Sequence, residues 1–205
     1  MITSAEARLG KNMAVVAAIG TVITFGIWVG LIGLENTGYD STWGALNATV
    51  GFIQTFGFVF TIAMSMKLFG ADDKPFFRVV SQILLVGAII NLLNNLSATL
   101  NANSVFPVTF DSSQVLAISN VGQFGFFVMA GLWALTLLGV NSDGLVPSWG
   151  VIAGRGAGWL ILVAQATSLF GLLPANVFGP IYILGGVVLW PIFVFGLSNA
   201  FGQKV

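Results

Sequence analysis

Six apolar stretches run through this chain of 205 residues with only short connectors between them, at about Met13 to Leu34, Leu46 to Phe69, Val79 to Leu100, Gln114 to Val140, Gly150 to Leu173 and Val177 to Leu197. A hydrocarbon slab about 30 Å thick is crossed by about 20 residues of helix. Inside it every backbone amide must find its partner within the protein, which helices do locally. The pattern predicts an all-α, polytopic membrane bundle of six transmembrane helices, forming a single transmembrane domain over residues 1–205. Charged residues make up 7% of the chain, against about a quarter in soluble domains, and a water-soluble fold is excluded.

The connectors are marked by turn formers and charges, among them Asn36, Gly38 and Asp40, then Asp72 to Pro75, Pro107 and Asp111, Asn141 to Pro147, and Pro174. Lys and Arg are retained on the cytoplasmic side of a membrane. Arg8 and Lys11 precede the first span, Lys67, Lys74 and Arg78 surround the second connector, Arg155 follows the fourth, and Lys204 ends the chain. Six spans put all seven on one side, so both termini are expected in the cytoplasm and the protein in the cell (inner) membrane. The opening MITSAEARLGKNMAVVAAIG reads as a first span rather than a cleaved signal, because its apolar run is long and lacks an A-x-A site.

The chain has no Cys and no His. That removes thiol nucleophiles, thiolate metal sites and the commonest zinc and haem ligands. No Asp, Glu or Lys lies deep in a span, where proton relays and charge-coupled transport need ionisable groups. Glu35, Asp40 and Asp111 read as solvated connector charges. No catalytic residue, metal or cofactor is therefore expected, and the balanced charge gives no field to attract nucleic acid.

Polar residues in lipid need partners. Asn91, Asn94 and Asn95 sit at i, i+3 and i+4 and share one face of the third span. Asn120 and Gln123 on the fourth span, Gln54 on the second and Gln165 on the fifth fall at comparable depth in the outer half. Two readings follow. In one, the amides bond one another and hold the helices together. In the other, Asn91, Asn94, Asn95, Asn120, Gln123 and Gln165 line an outward-facing polar cavity that binds a small neutral or lipid-like ligand, as in a facilitator or transporter.

Gly150, Gly154 and Gly158 form G-x-x-x-G-x-x-x-G, a spacing that lets helices approach closely. The partner face is either another helix of the chain or another subunit, through self-association or a different membrane protein. Trp43, Trp149 and Trp159 fit an interfacial belt, whereas Trp28, Trp133 and Trp190 lie further in. Around Gly26, Trp28 and Gly33 the chain echoes Gly131, Trp133 and Gly139 at an offset of about half its length, as an inverted repeat of three plus three spans would.

The segments GLVPSWGVIAG from Gly144 and WPIFVFGLSNAFGQK from Trp190 resemble a family of six-helix bacterial inner-membrane proteins of unknown function. The resemblance implies an inner membrane and a six-helix bundle, and it carries no binding or catalytic residue. The expected function is that of a non-catalytic structural or accessory subunit packing against lipid and protein partners, with ligand binding as the alternative.

Overall fold

The structure, a computed structural model, describes residues 2–29, 42–102, 112–169, 172 and 174–205, with the side chains of 42, 97–102, 112–124, 168, 169, 175, 176 and 178 outside that description. It is all-helical, and no strand occurs among the described residues. The helices are α1 (Ser4–Ile27), α2 (Thr42–Leu68), α3 (Pro75–Ala102), α4 (Ser112–Gly139), α5 (Ser148–Leu169), α6 (Ala175–Tyr182) and α7 (Trp190–Gly202). A π-helical stretch, Ile183–Leu189, joins α6 to α7 in one rod.

Four segments are long and apolar enough to cross a membrane, namely Ser4–Ile27, Trp43–Leu68, Pro75–Leu96 and Gly179–Gly202. Gly125–Gly139 of α4 is a shorter apolar helix among the described residues. In α5 the charge of Arg155, the amide of Gln165 and the glycines at 150, 154, 156 and 158 dilute the apolar character.

Helices extend past the apolar runs wherever the local sequence supports them. α1 begins at Ser4 rather than near Met13 because Thr3 and Glu6 form a capping box. The Thr3 hydroxyl accepts from the Glu6 amide at 3.3 Å, and the Glu6 carboxylate accepts from the Thr3 amide at 2.9 Å. α2 stops at Gly70, whose φ of +62° suits glycine. A 3-10 turn, Ala71–Asp73, follows, and Pro75 opens α3, a position where its missing amide proton costs nothing. Gly144, also at φ +62°, turns the chain from α4 towards α5.

The last rod departs from a plain apolar helix. Pro180 lies inside α6 and Pro191 at the start of α7. Pro191 has no amide proton for the carbonyl four residues earlier, and its ring crowds that carbonyl. The intervening turns widen to the π form, with Gly185 and Gly186 in the widened part.

Each rod packs antiparallel on the next. Thr21 meets Gln54 between α1 and α2, Thr55 meets Asn91 between α2 and α3, and Ser81 meets Trp133 between α3 and α4. Gly131 meets Gly158 between α4 and α5, and Gly154 meets Phe193 between α5 and α7. The ring closes where Ser198 of α7 donates to the Lys11 carbonyl of α1 at 3.1 Å. Only an even number of antiparallel rods closes in this way. The closure brings residues near the two chain ends together, and the Gln203 amide donates to the Leu145 carbonyl in the same region. The Glu6–Lys67 ion pair ties the start of α1 to the end of α2 there.

Candidate functional site

The centre of the ring is filled by aromatic rings. Phe58 of α2 meets Trp133 of α4, Phe126 of α4 and Trp190 of α7 with centroids 5.7, 5.7 and 5.4 Å away. Phe193 lies 6.0 Å from Trp133 and 5.7 Å from Trp190. Most of these pairs are edge-to-face, the arrangement the ring quadrupoles favour. The indole N–H of Trp133 donates to the Ser81 hydroxyl at 3.2 Å, and that hydroxyl donates to the Phe77 carbonyl at 2.7 Å. The deep polar handle is thereby satisfied, and the middle of the bundle holds a packed plug. Trp28, by contrast, is exposed.

Beside the plug lies a cavity of about 40 Å³, walled by Phe58, Phe126, Phe127 and Trp190 and lined on its polar side by Thr21 and Gln54. The Gln54 amide donates to the Thr21 hydroxyl at 2.9 Å, which donates to the Ala17 carbonyl at 2.8 Å. A space of this size accommodates a few water molecules or a molecule of two or three heavy atoms. Gly186, in the π-helical stretch, forms part of its wall.

Two of the three asparagines of α3, Asn91 and Asn95, meet α2. The Asn91 and Asn95 side chains both donate to the Thr55 hydroxyl oxygen, at 3.1 and 3.4 Å. Thr55 is 1% exposed, which makes it a buried acceptor shared by two amides. A Cβ on Gly51 would stand 3.2 Å from the Asn95 carbonyl oxygen, so the absent side chain leaves room for that amide. Asn94 is half-buried and likewise engaged. Gln165 is buried on α5, which α4 separates from α3 around the ring. Asn120 and Gln123 belong to α4, and their side chains lie outside the described residues. The structure thus brings Asn91 and Asn95 together with Thr55, while the cavity beside the plug is lined by Gln54 and Thr21 instead.

Thr55, the hub of this seam, and Thr21 were not singled out by the sequence reading. Both directly neighbour helix-helix contacts that amide positions alone do not reveal. Asn47, which opens the triplet Asn47-Ala48-Thr49, is buried at 5% exposure.

The glycine face of α5 is occupied from within the chain. A Cβ at Gly150 would lie 3.1 Å from the Gly196 Cα, at Gly154 2.5 Å from the Phe193 ring, and at Gly158 2.8 Å from Leu135. The paired Gly and Trp positions of the apparent repeat sit in unlike surroundings. Gly26 has open space where Gly131 abuts the Gly158 carbonyl, and Trp28 is exposed where Trp133 is fully buried.

A second cleft, of about 210 Å³, opens between the connector following α2 and the one following α4, beside Asn141 and Asp143. Lys74 spans it, donating to the carbonyls of Phe69 at 2.7 Å and Val140 at 3.3 Å. Its ammonium is a clasp between two connectors. No group of His, Cys, Asp and Glu suited to a metal occurs among the described residues. No protein-family model, curated protein or solved structure matches the chain.

Proposed function

We propose that this chain is a non-catalytic integral membrane protein that crosses a bacterial inner membrane six times, with both termini in the cytoplasm, and serves as a structural or accessory subunit. The observation that carries this reading is the shared Thr55 acceptor: the Asn91 and Asn95 amides donate to an interhelical acceptor rather than standing free for a ligand. The aromatic plug supports it as well, because it fills the axis along which a passage would run. The even, antiparallel ring and the positions of the seven basic residues support the six-span topology.

Because the chain has no cysteine, single replacements report topology cleanly. Lys74→Cys and Lys204→Cys are expected to react with a membrane-impermeant maleimide only after the cytoplasmic side is opened. Labelling from opposite sides overturns the topology. Purification from native membranes under mild detergent is expected to bring down a stoichiometric protein partner, and recovery of the chain alone counts against the accessory role.

The cavity beside the plug favours a second reading, binding of a very small neutral molecule at Gln54 and Thr21. Its sign is a saturable effect of such a molecule on thermal stability that disappears in Gln54→Leu.

A further inference from the structure

α5 has two unlike faces. Ala153 and Ala157 are buried with Gly150, Gly154 and Gly158 against the rest of the bundle. The opposite face exposes Ile152 and Trp159, at 73 and 61%, and Trp149, 47% exposed, lies at its edge towards Gly196 of α7. Arg155 lies on this exposed face, one turn from Ile152 and one from Trp159. Its neighbours on the face are apolar, and no described hydrogen bond or ion pair engages its guanidinium.

Arg155 follows the first residue of α5 by seven positions, about 10 Å at 1.5 Å per residue. Headgroup regions add about 5 to 7 Å on each side of the hydrocarbon core. The Cα therefore lies near the inner boundary of that core. Side chains on a helix lean towards its N-terminus, which for α5 is the cytoplasmic end in the six-span topology. A side chain of this length leaning that way reaches the phosphate level of that leaflet past Ile152. It has five donors in a planar fork that matches a phosphate.

We propose that Arg155, flanked by Trp149 and Ile152, is a docking site for the headgroup of an anionic phospholipid in the cytoplasmic leaflet. The occupant follows from charge complementarity. A lipid-facing cation with no protein acceptor meets phosphate oxygens at this depth, and an anionic headgroup adds net attraction that a zwitterionic one lacks. Trp149 supplies an amphipathic ring suited to the headgroup level. The glycerol backbone and upper acyl chains then lie on the exposed apolar surface of Ile152 and Trp159.

This inference rests on the proposed topology, and the test separates the two. Wild type, Arg155→Gln and Arg155→Lys are reconstituted in nanodiscs of phosphatidylglycerol mixed with phosphatidylcholine, and retained lipid is counted by native mass spectrometry. Wild type is expected to retain phosphatidylglycerol preferentially. Arg155→Gln should lower that preference about fivefold, the equivalent of about 1 kcal/mol for one surface cation, and Arg155→Lys should restore part of it. Equal retention by wild type and Arg155→Gln overturns the site, as does loss of a co-purifying protein with lipid retention unchanged. Ser148→Cys labelling in intact cells with a membrane-impermeant maleimide reports the side of α5. Labelling from outside overturns the topology and the leaflet assignment even where lipid preference persists. Unchanged intrinsic tryptophan emission and melting temperature in Arg155→Gln establish that the variant is folded.

Discussion

The α2–α3 seam and the α5–α7 seam hold helices together by opposite means. Between α2 and α3, amides from Asn91 and Asn95 converge on one threonine hydroxyl, and Gly51 leaves room for one of them. Between α5 and α7, no side-chain hydrogen bond is described, and glycines bring Gly150 and Gly196 into near backbone contact while Phe193 lies over Gly154. Lipid provides no hydrophobic drive for helices to associate. One seam gains specificity from polar pairing, the other from the dispersion contacts that close approach makes possible. The polar seam is expected to tolerate loss of one donor, whereas the glycine seam has no slack for even one methyl group.

Three substitutions put that contrast at risk. Gly154→Ala is expected to do the most damage, because its Cβ would stand 2.5 Å from the packed Phe193 ring and 2.9 Å from Leu138. Overpacking of this kind costs about 2 kcal/mol, read as a lower melting temperature in detergent. A melting temperature equal to wild type would show the glycine seam to be loose. Thr55→Val comes next. It keeps the shape and removes the shared acceptor, leaving two amides without it at about 1.5 kcal/mol. Asn95→Leu should be mildest, at about 0.6 kcal/mol, since Asn91 still donates to Thr55. If Asn95→Leu destabilised more than Thr55→Val, the amide would have a role beyond this seam.

The sequence made one side of each seam legible. Spacing of three and four residues placed Asn91, Asn94 and Asn95 on one helix face, and spacing of four aligned the glycines of α5. The opposite sides were not legible, because Thr55, Phe193 and Gly196 are selected by how far antiparallel rods slide past one another. No local pattern encodes that register. Phe58 reads only as an apolar position and Trp133 and Trp190 only as lying deeper than the interfacial belt, yet together they plug the axis. The π-helical stretch escaped for a different reason. Apolar runs of α and π helix look alike, and the signals were Pro180 and Pro191 on either side of Gly185 and Gly186. The start of α1 has its signal too, in the Thr3–Glu6 capping box, which lies upstream of the apolar run that begins near Met13.

The closure of the ring has a consequence for the order in which its parts must be strung together. Ser198 reaches Lys11, and Gly10 receives Phe201, so α1 and α7 are neighbours across an ordinary helix interface. That interface is one seam among equals, distinguished from the others only by lacking a linker. A short peptide bridging it, with new ends cut at the turn around Gly144, would yield a circular permutant with the same alternation of directions and the same neighbours for every rod. The architecture is cyclic, and its first and last helices owe their rank to the gene rather than to the packing.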